Sequence, residues 1–148
     1  MPATVEIGPF LPRHMKRVLA IEQACFAGDA YPRELFEELY EESAGLFFVA
    51  RRARRIVGYC VAAAEGAEAE LVSVAVLPAQ RLHGVGGALL RHTIARLRRW
   101  RVRTLALTVR SDNRDAARLY RRFGFRAAGR IPNYYEDAAD GLLMRLRL

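Results

Sequence analysis

Apolar and polar positions alternate from Thr4 to Gly8, which predicts a short edge strand. From Pro12 the period lengthens: Met15, Val18, Leu19 and Cys25 give the inner face of a helix running to about Ala24. Phe26 to Tyr31, with Gly28 and Asp29, reads as a loop, and Pro32 suits the first turn of a second helix carrying Leu35, Phe36 and Leu39. Leu46 to Ala50 and Ile56 to Ala64 are strand-like apolar runs joined through Arg51 to Arg55 as a hairpin, and Glu68 to Val76 is a third strand ended by Pro78. Helical spacing returns from Gly84 to Trp100 (Val85, Leu89, Leu90, Ile94, Leu97), and Thr104 to Val109 places Leu105, Leu107 and Val109 on one face of a strand. Arg114 to Phe123 is helical because Ala116, Leu119, Tyr120 and Phe123 fall at i, i+3, i+4 and i+7, with Gly124 placed to end it. Phe125 to Arg130 and Leu142 to Leu148 close the chain as strands around a loop holding Asn133, Tyr134 and Tyr135. The order β-α-α-β-β-β-α-β-α-β-β combines hairpins with a strand-helix-strand crossover. It predicts an α/β (α+β) protein with a mixed, mostly antiparallel sheet and helices on both faces.

With 148 residues, 52% of them hydrophobic, and no repeat or linker, residues 1–148 are read as one domain with one core. The 7 Phe, 6 Tyr and 1 Trp spread along the chain exclude general disorder. No apolar run approaches the roughly 20 residues that cross a bilayer, so no membrane partner and a cytoplasmic location are expected. Cys25 and Cys60 lack a CxxC spacing, which argues against both a disulfide framework and a metal site and reads them as small core residues. A net charge of +8 invites a nucleic-acid reading. Lys16 is the only lysine, however, and an arginine bias reflects genome composition as readily as phosphate recognition. Arg96, Arg98, Arg99, Arg101 and Arg103 fall at a helix end, where cations complement the dipole, and Arg51, Arg52, Arg54 and Arg55 suit an exposed turn.

Candidate chemistry concentrates between Ser73 and Ala88. A strand feeds a short loop, and Gly84, Gly86 and Gly87 open a long helix, so the backbone can approach a ligand while unpaired N–H groups and the positive dipole end receive an anion. Neither a Gly-Lys-Ser/Thr phosphate loop nor a complete GxGxxG with an acid ending the next strand is present. A glycine-rich helix start that merely packs closely is the competing reading.

Arg81-Leu82-His83-Gly84-Val85-Gly86 resembles the Q/R-x-x-G-x-G/A motif of GCN5-related N-acetyltransferases, preceded as in that family by a strand ending in Ala-Val and a proline. Leu107-Thr108-Val109-Arg110-Ser111-Asp112-Asn113, then Ala116-Ala117-Arg118-Leu119-Tyr120, then Gly124-Phe125 are similar to further family segments in order and spacing. Ile21 to Phe26, Tyr31-Pro32, Asn133-Tyr134-Tyr135 and Leu143-Met144 resemble the RimI-like branch, which acetylates protein N-termini. The resemblance covers most of the chain.

It implies the acyl-CoA N-acyltransferase fold and transfer of an acetyl group from acetyl-CoA to an amine by direct attack in a ternary complex, without a metal. The N–H groups of Arg81, Leu82, His83, Gly84, Val85, Gly86 and Gly87 would hold pyrophosphate, and Val74, Ala75 and Val76 would pair with the pantetheine arm. In this fold the strands flanking the crossover splay apart to make that slot. Asn113 would hydrogen-bond the cofactor, Val76 N–H would stabilise the oxyanion, and Tyr120 would protonate the departing sulfur as general acid. On spacing alone Tyr120 reads as a buried tyrosine. Phe26, Tyr31, Tyr134 and Tyr135 would line the acceptor groove.

The sequence departs from the branch at Thr108, where Glu is usual. Threonine cannot accept a proton near neutral pH. Three substitutes are open: Glu70, which also reads as a solvated strand-end carboxylate; a water relay through backbone carbonyls or the Tyr134 and Tyr135 hydroxyls; or an amine that arrives neutral. A protein α-amine, with a pKa near 7.7–8.0, supplies far more neutral amine than lysine near 10.4, so the departure favours an N-terminal acceptor. A polyamine, antibiotic or lysine acceptor is the second enzymatic reading, with Asp29, Glu136 and Asp137 as the acids available. A CoA-binding module without turnover, or a basic protein docked on ribosomal RNA, is the non-enzymatic one. His14, His83 and His92 show no acid partner at readable spacing and are expected to be non-catalytic. The chain is expected to be a monomer or homodimer, with nucleic acid not its main ligand.

Overall fold

A computed structural model describes residues 4–43 and 45–148. Among the described residues, seven strands and four α-helices follow the predicted order: β1 (Val5–Pro9), α1 (Met15–Phe26), α2 (Arg33–Glu42), β2 (Phe47–Arg52), β3 (Arg55–Glu65), β4 (Glu68–Val76), α3 (Val85–Arg99), β5 (Thr104–Arg110), α4 (Arg114–Arg122), β6 (Arg126–Ile131) and β7 (Gly141–Arg147). The strands hydrogen-bond in the order β1-β2-β3-β4-β5-β7-β6. β4 and β5 run parallel, while the β1–β2, β2–β3, β5–β7 and β6–β7 pairs are antiparallel. This is the mixed, mostly antiparallel sheet expected.

The chain divides into two compact units, residues 1–63 with 71–96 and residues 64–70 with 97–148, so β3, β4 and α3 are each shared. In the first unit the core is built from Phe10, Val18, Ile21, Phe36, Phe47, Tyr59 and Val61. Phe10 stacks on Phe47 with ring centroids 4.0 Å apart, and Phe36 meets Tyr59 edge to face at 5.7 Å. Such pairs add about 0.5–1.5 kcal/mol beyond their burial. Tight approach also matters at Gly58. A Cβ there would lie 2.8 Å from the Ala75 carbonyl oxygen and 3.2 Å from Val85 Cγ1, so the missing side chain lets β3, β4 and the first turn of α3 close on one another.

The hairpin is tighter than its arginine run predicts. Arg51, Arg52 and Arg55 lie within strands, and only Ala53 (φ 52°) and Arg54 (φ 65°) turn, both left-handed as a two-residue primed turn requires. Arg51 and Arg52 are half-buried rather than exposed turn residues. α1 runs to Phe26 with Ile21 and Glu22 fully inside, whereas Leu19 and Cys25 are only half-buried. The stretch expected as loop contains a 3-10 turn at Ala27–Asp29, and Pro32 caps α2 instead of sitting in its first turn.

In the second unit β4 meets β5 over Glu68↔Thr104, Ala69↔Leu105 and Glu70↔Ala106. β7 lies between β5 and β6, pairing Leu107 with Met144 and Leu105 with Leu146, all four buried. α3 stops where Arg101 turns left-handed (φ 61°), with its N–H bonded to the Arg98 carbonyl and the Val102 N–H to Leu97. β6 differs from the expected strand: all six of its residues are exposed, because Phe125, the buried residue of that stretch, precedes the strand.

Candidate active site

In the first unit, β4 ends when Leu77 N–H reaches back to the Val57 carbonyl at 2.9 Å, and Pro78 then opens a 3-10 turn to Gln80. Arg81 leaves in extended backbone and donates from Nε to the Val76 carbonyl at 3.3 Å, which anchors the loop to the strand it follows. Leu82 and Gly84 are both left-handed, with φ of 68° and 78°. Leu82 is fully exposed, so its backbone strain, about 1–2 kcal/mol for a non-glycine residue, is offset by no packing of its side chain.

The first helical bond after this loop runs from Ala88 N–H to the Gly84 carbonyl at 3.0 Å. The preceding N–H groups, on Val85, Gly86 and Gly87, therefore belong to the helix end that has no intrahelical acceptor. The first turn of α3 contains no acidic residue to compete for them. Val74 and Val76 are half-buried and Ala75 is buried on β4. Phe26, at the end of α1, is half-buried and packs against the core, while Tyr31 is exposed.

A group that sequence reasoning missed lies beneath this strand. Glu22, 1% exposed, accepts hydrogen bonds from the Tyr59 hydroxyl, from Ser73 Oγ at 3.2 Å and from Tyr31 N–H at 2.9 Å. One carboxyl thus ties α1, β3, β4 and the chain at Tyr31 together. Burial pushes its pKa up from the ordinary value, while the three donors pull it back. The Tyr59 pKa is raised as well, first by burial and then by the carboxylate beside it. The signal was readable: Val18, Ile21, Glu22 and Cys25 share one helical face, and an acid on that face needs partners.

The remaining groups expected to be non-catalytic have structural surroundings of their own. His14 is buried, accepts from Leu11 N–H at 3.0 Å through Nδ1 and lies 2.9 Å from an Arg51 amino group; burial and then that arginine lower its pKa. His92 meets Phe48 edge to face, and His83 is exposed in the loop. Cys60 is a core residue as expected, with its thiol pushed up to about 12 by burial. Cys25 is half-buried, donates to the Val76 carbonyl at 3.3 Å and lies near Arg81.

In the second unit, β5 alternates between buried Leu105, Leu107 and Val109 and the half-buried face of Thr104, Ala106, Thr108 and Arg110. Glu70 pairs with Ala106, so it shares that face on the neighbouring strand, diagonally about 8 Å from Thr108, and it is exposed. Tyr134 comes to the same place from the β6–β7 loop. A Cβ on Gly141 would meet Thr108 Cγ2 at 2.8 Å and Tyr134 Cγ at 3.1 Å, so both residues flank one glycine. The position without its acid, a candidate replacement and a predicted acceptor residue are thereby gathered on one face.

The loop is clasped by Arg110, whose two amino groups bond Asp137 at 2.6 and 3.2 Å, whose Nε bonds Asp112 at 3.3 Å, and whose guanidinium lies 4.9 Å from the Tyr135 ring centre. Arg110 holds the Asp137 carboxyl below the usual carboxylate range. Tyr134 and Tyr135 rings meet edge to face at 5.0 Å. Asn113 caps α4, its Oδ1 accepting from Ala116 N–H at 3.1 Å, so the cap uses its oxygen and not its amide nitrogen. Tyr120 is buried, edge to face with Phe125 at 5.6 Å. Among the described residues no His, Cys, Asp or Glu cluster suits a metal ion, and no helix is long and apolar enough to cross a membrane.

Residues 15–125 match the model of the acetyltransferase (GNAT) family. An N-alpha-acetyltransferase of Sulfurisphaera tokodaii is 32% identical over 127 residues, covering 77% of this chain and 76% of its own. Ard1 from Thermoplasma volcanium shares the fold with a TM-score of 0.92 at 30% identity, over 97% of each chain. A ribosomal-protein-alanine N-acetyltransferase from Escherichia coli does so with a TM-score of 0.89 at 29% identity, over 97% of this chain and 94% of its own.

Proposed function

The chain belongs to the acetyltransferase (GNAT) family, and from that premise we propose that it carries an acetyl group from acetyl-CoA to the α-amino group of a protein N-terminus, in the cytoplasm. Bound acetyl-CoA supplies a thioester carbonyl to the amine and a thiolate as leaving group. The N–H groups at the start of α3 suit its pyrophosphate, since Gly84, Gly86 and Gly87 leave the backbone uncovered and no carboxylate occupies the first turn. Val74 to Val76 offer backbone to the pantetheine arm, and the Asn113 amide nitrogen donates to the cofactor. With acetyl-CoA bound, Val76 N–H would stabilise the oxyanion and Tyr120 would supply a proton to the departing sulfur.

The observation that carries the choice of acceptor is that Thr108, which cannot act as a base, occupies the position of the usual acid, beside Gly141 and Tyr134. At pH 7.5 roughly a third of an α-amine is neutral, against about 0.1% of a lysine side chain. An enzyme without a strong base at that position works on the former. Proton loss from the amine then needs only Glu70 or water as acceptor. Relatives named for N-terminal and ribosomal-protein-alanine acetylation support the same acceptor.

The test is thiol release from acetyl-CoA with three acceptors at equal concentration: peptides with a free N-terminus, N-terminally blocked lysine peptides, and polyamines. Mass spectrometry then locates the acetyl group. Turnover confined to free N-termini is expected; preference for lysine or polyamine overturns the acceptor, and CoA binding without release toward any amine overturns the enzyme. Tyr120→Phe is expected to lower kcat at least tenfold with acetyl-CoA affinity kept, and unchanged kcat removes Tyr120 from the chemistry.

A further inference from the structure

In the first unit a cavity of about 350 Å³ opens between α1, the β2–β3 hairpin and the 3-10 turn that precedes the glycine loop. Its wall is mostly apolar, and Val57, Leu77, Ala79 and the side chains of Arg17, Arg52 and Arg55 line it. No acidic residue does so. Ion pairs among the described residues involve Arg110, Arg118 and Arg130, and none of the three cavity arginines pairs with a carboxylate there.

Two of the three are held in place by neutral acceptors. Arg17 donates from Nε to the Ile56 carbonyl at 2.9 Å, leaving its terminal amino groups for another partner. Arg52 donates one amino group to Gln80 Oε1 at 3.0 Å. Arg55 begins β3 and is exposed. Three like charges gathered on one small, partly apolar space repel one another, and neither Gln80 nor a carbonyl neutralises them. An anion does, and guanidinium forks match the paired oxygens of phosphate and carboxylate.

We propose that this cavity is a binding site for a small dianion, a phosphate monoester or dicarboxylate, separate from the site for acetyl-CoA. The volume is at the low end of ligand pockets, roughly 300–1,000 Å³, which suits a small metabolite-sized anion. The proposal does not depend on which amine the enzyme acetylates. Arg52 gives it a route to the cofactor loop, because its partner Gln80 is the residue before Arg81.

The probe is inorganic phosphate, titrated at constant ionic strength and followed by amide NMR shifts of Val57, Ala79 and Gln80. Saturable binding is expected, weakened tenfold or more in Arg55→Gln and in Arg52→Gln, but less than twofold in Arg54→Gln, which removes the same charge from the adjacent turn. Equal losses in all three mean diffuse attraction and overturn the site, as does linear, unsaturable shifting. Repeating the titration with added CoA separates the sources of the anion site: a phosphate Kd that climbs without limit marks one shared site and overturns the proposal, whereas a plateau is the result expected of two. Phosphate binding by a protein inactive toward every amine would leave this site standing while the proposed function fell.

Discussion

Replacing Gly58 by alanine tests whether close approach at that residue sets the position of α3. The added Cβ would sit 2.8 Å from the Ala75 carbonyl oxygen, 3.2 Å from Val85 Cγ1 and 3.4 Å from Leu89 Cδ1. The first distance is to backbone, which cannot swing aside as a long side chain does, so β3 and β4 must separate or the first turn of α3 must lift. Overpacking of this kind costs about 1–3 kcal/mol, and the loss of glycine's unfolded-state freedom returns about 0.4–1 kcal/mol. The net expectation is destabilisation by about 1–2 kcal/mol, read as a lower urea midpoint at unchanged m-value. Acetyl-CoA binding should weaken in parallel, since Val85 is the first residue of α3. Gly129→Ala is the control: no atom lies within 4 Å of the position its added methyl would take, and it should be neutral or stabilised by up to about 1 kcal/mol. A Gly58→Ala protein as stable as the parent, or one that loses stability no more than Gly129→Ala, would refute the reasoning.

Glu22 has its carboxyl pKa raised by burial, so the folded chain holds that proton more tightly than the unfolded chain, and its contribution to stability falls as pH rises from the ordinary value near 4.5 through the raised one. Urea midpoints measured across that interval should lose this slope in Glu22→Gln; an identical slope in the variant would show that another group titrates. Leu82→Gly relieves a left-handed backbone and gives up no packing, so after glycine's entropic cost it should stabilise by up to about 1 kcal/mol in thermal unfolding, and destabilisation would show that the exposed side chain has a partner. Asp137 has a lowered pKa, so its bond to Arg110 is present at neutral pH and is lost only as pH falls through that lowered value. Asp137→Asn should therefore speed hydrogen exchange several-fold at Tyr135 and Ala138 N–H at pH 7, and unchanged protection would mean the loop is held by other contacts.

The sequence by itself determined the elements and their order, because hydrophobic period is a local property. β4 falls where alternation and Pro78 place it, and α3 begins just after Gly84, where the glycines precede the helical pattern. Local rules also explain the errors. An arginine run looks like a turn, yet Ala53 and Arg54 alone accept left-handed backbone while Arg51, Arg52 and Arg55 pair across strands. Asn113 was legible as a motif residue, but its capping bond to Ala116 depends on where α4 starts.

Only tertiary structure decided which distant residues became neighbours. Glu22, Tyr59 and Ser73 are up to 51 residues apart and meet in one buried hydrogen-bonded group; Thr108, Tyr134 and Gly141 meet because β7 enters between β5 and β6. The three arginines of the anion cavity come from a helix, a hairpin strand and the strand paired with it. Periodicity tells a side chain which way to face. It says nothing about what it will face, since that is fixed by strand order and register, which depend on every element packing at once.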